Sequence, residues 1–220
     1  LPDRRVFAQG VVMKSVLIAD DHPVIRGAVK IILKQEGFKR IHEASSGNEV
    51  LPIIREHKPS LLVLDLNLPS LGGLEVLERI QAGEMACPVV VFTSQEPEFF
   101  QDRCMRAGAG AYVDKTKSLE HLQKAVHAVM CGYTYFIQLA SSSVSLNSLK
   151  NSEKQMIDLL SNREMTIFQL LARGISNKEI ADLLHLSHKT VSTYKTRLIE
   201  KLNVESSVHL RDLAKRNHLI

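Results

Sequence analysis

Leu61-Leu-Val-Leu-Asp65-Leu-Asn-Leu-Pro69-Ser-Leu-Gly-Gly73 decides the fold: an unbroken apolar run ends on a carboxylate and passes into a loop punctuated by proline and paired glycines. Such a run is the mark of a strand buried on both faces, as in a parallel sheet. Three further runs end on other polar groups: Val16-Leu-Ile-Ala19 on Asp20-Asp21, Val89-Val-Val-Phe92 on Thr93, and Ala111-Tyr-Val-Asp114 on Lys115. Strands are predicted at 15–19, 41–45, 61–64, 89–93 and 111–113. Amphipathic segments at 23–36, 48–57, 73–83, 98–107 and 118–131 separate or follow them, each long enough for the right-handed crossover that parallel strands require. Gly37, Gly47, Pro59, Gly83, Gly108 and Gly132 fall at helix ends or turns. The first half therefore reads as α/β, a doubly wound sheet of five parallel strands.

In such a sheet the carboxyl ends of the strands line one edge, and ligands bind there. Asp20, Asp21, Asp65, Thr93 and Lys115 are thus brought together from distant positions. Three carboxylates so close repel one another unless a cation sits among them, and an all-oxygen donor set calls for magnesium rather than zinc. The chemistry this implies is that of phosphate.

Of 220 residues, 45% are hydrophobic and 24% charged, which fits folded domains and excludes a largely disordered chain. No stretch approaches the roughly eighteen consecutive apolar residues of a membrane span, and no basic segment leads into an apolar secretion signal; a cytoplasmic protein is expected. Cys87, Cys104 and Cys131 are odd in number and form no C-x-x-C pair, so reduced, core-packed thiols are expected. Residues 1–13 read as an added or upstream extension before Met13-Lys14. Residues 14–150 hold 15 basic and 15 acidic side chains, whereas 151–220 hold 11 against 8. The basic surplus belongs to the C-terminal part.

Between the two parts, residues 140–152 are rich in serine and asparagine, whose side chains compete with the backbone and favour turns; a linker is expected over 133–158. Beyond it the chain reads as helix. Ser161-Asn-Arg-Glu164 and Ser176-Asn-Lys-Glu179 are capping boxes that fix two helix starts. The first helix stops near Arg173 at Gly174, and the second, 178–184, turns Ile180, Ala181, Leu183 and Leu184 inward. A third helix at 188–202 follows a short turn, making a helix-turn-helix, and a fourth at 206–217 closes a small all-α domain at 159–220.

The motifs Asp20-Asp-His-Pro23, Asp65-Leu-Asn-Leu-Pro69 through Gly73, Phe92-Thr-Ser94 and Tyr112-Val-Asp-Lys115 resemble a response-regulator receiver domain over 14–132, which implies a flavodoxin-like fold. The resemblance implies that Asp65 is the phosphoacceptor, served by a sensor histidine kinase or phosphotransfer domain. It further implies Asp21, Asp65 and the backbone carbonyl of Asn67 as Mg2+ ligands, with Asp20 acting through water. Lys115 and Thr93 would meet the phosphoryl oxygens, and Tyr112 would be the switch aromatic. His22 is read as positional. Asn67 and Gln95 stand where the family places side chains that affect attacking water.

Leu160-Ser-Asn-Arg-Glu164, Gly174-Ile-Ser-Asn-Lys-Glu-Ile-Ala181 and Ser187-His-Lys-Thr-Val-Ser-Thr-Tyr-Lys-Thr-Arg-Leu198 resemble the DNA-binding domain of the NarL/FixJ, or LuxR-type, regulators, most of all their virulence-regulator members. On the third helix Lys189, Lys195, Arg197 and Lys201 oppose only Glu200, while Val191, Tyr194, Leu198 and Leu202 recur at core spacing. Ser192, Thr193, Thr196 and Lys195 are left pointing outward, and by the resemblance Ser192, Thr193 and Thr196 reach bases; Lys178, Lys189 and Lys201 are assigned to phosphate positioning, within a basic surplus on the third helix that includes Lys195 and Arg197. Short hydroxyls read bases less selectively than a bidentate arginine, so water or DNA shape is expected to carry more of the specificity. Val208, Leu210 and Leu213 on the last helix offer a face for a homodimer on double-stranded DNA. Two other readings stand beside this one: a docking module independent of phosphorylation, and an aspartate-based phosphohydrolase. Against the latter, Asn67 occupies the position where that class carries its second aspartate.

Overall fold

The chain is described here by a computed structural model covering residues 14–137 and 148–220. Strands β1 (Ser15–Ala19), β2 (Arg40–Ala44), β3 (Leu61–Leu64), β4 (Val89–Thr93) and β5 (Ala111–Asp114) form one parallel sheet in the order β2-β1-β3-β4-β5. Its direction of winding reverses between β1 and β3, which opens a crevice at their carboxyl ends. The register aligns Ala19 with Leu64, Leu64 with Val91, and Thr93 with Asp114. Asp20, Asp65 and Lys115 follow their strands onto one edge. The ladder continues one step beyond the strands there: Asp65 N–H donates to Ala19 O at 2.8 Å and Lys115 N–H to Thr93 O at 2.8 Å.

Helices α1 (Pro23–Gln35) and α5 (Leu119–Met130) cover one face of the sheet; α2 (Gly47–His57), α3 (Gly73–Ala82) and α4 (Pro97–Arg106) cover the other. Val16, Ile18, Val63, Val90 and Phe92 belong to the first core, and Leu17, Leu62, Leu64, Val91 and Tyr112 to the second. Strands β1, β3, β4 and β5 read as apolar runs because they are buried on both sides, whereas β2 at the sheet edge, Arg40-Ile-His-Glu-Ala44, is largely open to solvent. Cys87 and Cys104 are buried free thiols, and burial pushes Cys87 up to about 12. Cys131 departs from the expectation: it caps α5 and is exposed.

The C-terminal lobe holds α6 (Ser148–Asp158), α7 (Asn162–Ala172), α8 (Asn177–Leu184), α9 (His188–Lys201) and α10 (Ser207–Arg216). Ser161 and Ser176 each accept from the backbone N–H of Glu164 or Glu179, whose carboxylates reach back to the serine N–H, so both capping boxes form. His185, at φ +52°, ends α8, and Ser187 caps α9 through Thr190 N–H. Residues 1–13 and 138–147, the extension and the middle of the serine-rich segment, lie outside the described residues. Within the expected linker, however, stands α6, and its C-terminal end is held from outside: Ile157 is buried, and Arg103 of α4 donates to Ile157 O at 2.8 Å, Asp158 O at 3.3 Å and Leu160 O at 2.6 Å. A helix whose free carbonyls are met by a side chain from another lobe leaves no local signature.

Two sequence assignments on the small lobe are corrected. Leu210 and Leu213 are fully buried, so of the three only Val208, 65% exposed, points outward. Leu183 turns out of the bundle and lines the cleft between the lobes.

The loop after Asp65 closes on itself at Gly73, whose N–H donates to Leu66 O at 3.0 Å. A Cβ there would stand 2.2 Å from Asp65 O and 2.7 Å from Leu66 Cα, both backbone atoms. Gly73→Ala is expected to destabilise the protein by about 2 kcal/mol or more in urea unfolding. Gly27, inside α1 with nothing within 4 Å of a Cβ, gives the opposite sign: Gly27→Ala is expected to stabilise by about 0.5–1 kcal/mol.

Candidate phosphoacceptor site and DNA-binding face

Asp20 and Asp65 end adjacent strands, and both are almost fully buried, at 3% and 2% exposure. Two buried carboxylates side by side need a counter-charge. Lys115 supplies it from the end of β5: Nζ lies 2.7 Å from Asp20 Oδ2 and 2.7 Å from Asp65 Oδ2. Desolvation pulls the Lys115 pKa down, but the charges and hydrogen bonds of Asp65 and Asp20 outweigh it and hold the ammonium above its ordinary value.

Asp21 is more open and lies 2.6 Å from His22 Nδ1. Ligand atoms of Asp20, Asp21, His22 and Asp65 fall within 4.8 Å of one another. Three carboxylates against one lysine leave an excess of negative charge in a nearly all-oxygen cluster, and such a set suits a hard divalent cation. His22 also braces the loop, its N–H donating to Asp20 Oδ1 at 2.9 Å.

Around this cluster Thr93 is fully buried, and its Oγ1 accepts from Gln95 N–H at 3.4 Å. Tyr112 lies inward, its hydroxyl donating to Gln95 O at 2.7 Å, and burial pushes its pKa far up. Asn67 N–H reaches Asp65 Oδ1 at 3.2 Å. The residues picked from the four strand ends and from Tyr112 therefore gather in one place.

The small lobe presents a second surface. On α9, Val191, Leu198 and Leu202 are buried and Tyr194 packs partly against them, as the spacing predicts. Lys189, Thr193, Thr196 and Arg197 are exposed with the receiver lobe in place, as is Lys178 on α8. Ser192 and Lys195 are half-buried, and Ser192 Oγ accepts from Asn177 Nδ2 at 3.2 Å. Thr193 and Thr196 donate back to Lys189 O and Ser192 O, at 3.0 and 3.2 Å. Lys201 is engaged elsewhere, 2.8 Å from the buried Glu164 carboxylate. Among the described residues, Lys178, Lys189, Lys195 and Arg197 form no ion pair.

Two family models cover most of the chain: "Response regulator receiver domain" matches residues 16–127, and "Bacterial regulatory proteins, luxR family" matches 158–214. The virulence-factor transcription regulator BvgA of Bordetella pertussis is 50% identical over 204 residues, spanning 93% of this chain and 98% of that protein. This chain belongs to the LuxR-family response regulators. Response regulator GacA of Pseudomonas aeruginosa is 34% identical, over 94% of this chain and 98% of its own. A structure of the Salmonella typhimurium response regulator RcsB shares the fold, with a TM-score of 0.71 at 23% identity over 90% of this chain and 95% of that one. The regulator is thus a two-component transcription regulator, whose receiver implies a kinase partner and whose LuxR-type domain implies DNA. No helix among the described residues is long and apolar enough to cross a membrane.

Sequence reading passed over Gln169 and Arg103, both buried and both bridging the lobes. The available signal was a polar residue on an otherwise apolar helical stripe: Gln169 follows Met165 and Phe168, and Arg103 lies beside Phe99 and Cys104.

Glu164 offers a pH test of the small lobe. Burial raises its pKa, but hydrogen bonds from Lys201 and Ser161 outweigh that, and the carboxyl ends below its ordinary 4.5. A depressed folded pKa adds stability above the unfolded value that is lost as pH falls through the folded one. Urea midpoints of the regulator are expected to drop below about pH 4.5, and Glu164→Gln to flatten part of that acid limb at a cost of about 1 kcal/mol near neutrality.

Proposed function

We propose that Asp65 accepts a phosphoryl group from a histidine kinase or phosphotransfer domain, and that the phosphorylated regulator controls transcription as a dimer on double-stranded DNA. The observation that carries this reading is the Lys115 bridge. One ammonium holds two buried carboxylates at the ends of β1 and β3, leaving the crevice beside Asp65 open.

An Asp65 carboxylate oxygen attacks phosphorus, the bond from phosphorus to the donor histidine nitrogen breaks, and the product is an acyl phosphate. Covalent help matters little in such a transfer; positioning and charge neutralisation matter most. Lys115 keeps its charge beside Asp65 and meets a phosphoryl oxygen, while the Thr93 hydroxyl turns to donate to another. Asp21, Asp65 and the carbonyl of Asn67, with Asp20 through water, would hold Mg2+, which when bound offsets the charge of the incoming phosphoryl group. Asn67 replaces the acid-base carboxylate that a phosphohydrolase needs, so the acyl phosphate persists as a signal and the protein turns over no small substrate. Phosphorylation works by population shift, through Thr93 and Tyr112 to α4 and the small lobe.

Lys178, Lys189, Lys195 and Arg197 contact DNA phosphates, with Lys201 joining them once released by Glu164; Ser192, Thr193 and Thr196 face the base edges. An RcsB structure bound to promoter DNA with the phosphomimetic BeF3- supports this use of the fold. The setting is the bacterial cytoplasm.

Asp65→Asn is expected to take up no phosphoryl group from acetyl phosphate with Mg2+ on a phosphate-affinity gel, and to show no phosphodonor-dependent gain in a DNA gel shift. A variant that shifts DNA as wild type does under phosphorylating conditions sinks the switch. Lys189→Ala and Arg197→Ala should weaken binding to all sequences alike, each reducing the slope of log affinity against log salt by about 1.

A further inference from the structure

Gln95 spends every polar group it has. Its backbone N–H donates to Thr93 Oγ1 at 3.4 Å, and its carbonyl accepts from Tyr112 at 2.7 Å. Its side-chain amide donates to Asn67 Oδ1 at 2.6 Å, and its side-chain oxygen accepts from Gln169 Nε2 at 2.8 Å. Gln169 belongs to α7, in the other lobe, and also donates to Leu219 O at 3.1 Å, just beyond α10. Gln95 and Gln169 are 6% and 8% exposed. The chain Asn67–Gln95–Gln169 thus crosses from the residue two positions after Asp65 into the DNA-binding lobe through buried groups only partly open to water at its first end.

The crevice above the receiver edge has walls from both lobes. A cleft of about 210 Å3 is lined by Asp21, Asn67 and Gln95 on one side and by Thr166, Gln169 and Arg173 on the other. Water that reaches a phosphorylated Asp65 from this direction passes Asn67 and Gln95.

We propose that Gln169 is a positioning residue for the acyl phosphate: by fixing the Gln95 amide against Asn67, the docked DNA-binding lobe restrains water attack and lengthens the life of the phosphorylated state. The inference rests on Asp65 being the phosphoacceptor. The step it slows is hydrolysis. A water oxygen attacks phosphorus, the bond from phosphorus to the Asp65 oxygen breaks, and the aspartyl phosphate dianion plus water give the Asp65 carboxylate and dihydrogen phosphate. Without Gln169, the Gln95 side chain loses the partner that holds its oxygen, and the amide is free to leave Asn67. Any event that lifts α7 from the receiver is therefore expected to shorten the signal.

The test uses the full chain. Wild type, Gln169→Ala, Gln95→Ala and the double variant are phosphorylated with acetyl phosphate and Mg2+, the donor is removed, and phospho-Asp65 is followed on phosphate-affinity gels. Gln169→Ala is expected to shorten the half-life about fivefold, the scale set by one lost buried hydrogen bond. The double variant should decay no faster than the faster single one, since both cut the same chain. Gln169→Glu, which keeps the length but loses the donor, should decay like Gln169→Ala. Initial phosphorylation rates and the Tm of the unmodified proteins report on folding, and should change far less than the decay. Half-lives equal to wild type, effects that multiply in the double variant, or a loss of phosphorylation rate as large as the gain in decay would each overturn the inference. Failure of wild type to take up phosphate, or equal uptake by Asp65→Asn, would instead overturn the assignment of Asp65 and this inference with it.

Discussion

Lys115 holds Asp20 and Asp65 together, and the arrangement of the receiver lobe's functional edge follows from that one cation. Each carboxylate is nearly sealed from water, and each accepts from the same Nζ at 2.7 Å. Burying charges is costly, and a pair buried this deeply seldom adds much net stability, although removing one partner costs several kcal/mol. The site therefore reads as chemistry maintained at some expense to stability. It is sustained because the sheet leaves no freedom at the strand ends: Asp65 and Lys115 continue backbone ladders begun by their own strands. The lysine is placed by β5, the carboxylates by β1 and β3, and β4 between them carries Thr93. Any change in what Lys115 binds is felt at three strand ends at once.

In the proposed switch, the loop after β4 is the route by which that change would pass outward. Thr93, Gln95 and Pro97 lie within five residues, and Pro97 begins α4. Further along α4, Arg103 donates to carbonyls at the C-terminal end of α6 and to Asn162 Oδ1 at 3.2 Å. Desolvation lowers its pKa, and Asp158 partly restores it. Its charge is met largely by the negative end of a helix. Such a latch is strong in one geometry and weak in another, because carbonyls at a helix end point along one direction. Around it lie ion pairs at the surface, Arg163 with Glu75 and Lys154 with Glu98, which are worth little singly. The lobes are thus joined by one buried guanidinium and one amide chain, both anchored to the stretch between Thr93 and α4.

How far the sequence could be read follows from where each signal resides. Strands β1, β3, β4 and β5 were legible because burial on both faces forces an unbroken apolar run, and the polar residue ending each run was legible because it breaks that run at one common edge, even though Asp20, Asp65 and Thr93 are themselves buried. Capping boxes made α7 and α8 legible for a similar reason: Ser161 and Glu164 satisfy helix-end groups locally. Helix α6 was not legible, since its end is satisfied by Arg103, more than fifty residues away. The same holds for Gln169, whose partner Gln95 lies in another lobe. Leu210, Leu213 and Leu183 were misplaced because periodicity tells which residues share a face and leaves open whether that face meets its own bundle or a neighbour. Local chemistry was readable; chemistry completed between lobes was not.

The same distinction bears on how α9 reads DNA. Thr193 and Thr196 already spend their hydroxyl hydrogens on carbonyls one turn back, so neither carries an unsatisfied donor into solvent. In the proposed DNA complex each would give up an intrahelical bond for an intermolecular one on meeting a base, and the net gain would be smaller than for a free donor. Arg197 and Lys189 have no such internal partner among the described residues, so the phosphate contacts proposed for them would keep their full gain. In that proposed complex binding energy would be concentrated in contacts that carry no sequence information. Selectivity would then depend on the spacing of two α9 helices and on the shape of the DNA between them, quantities set by how protomers pair. In the proposed dimer, control of pairing would also be control of sequence choice, which is why the contact of α7 with the receiver through Gln169 and Gln95 matters as much as the helix proposed for the groove.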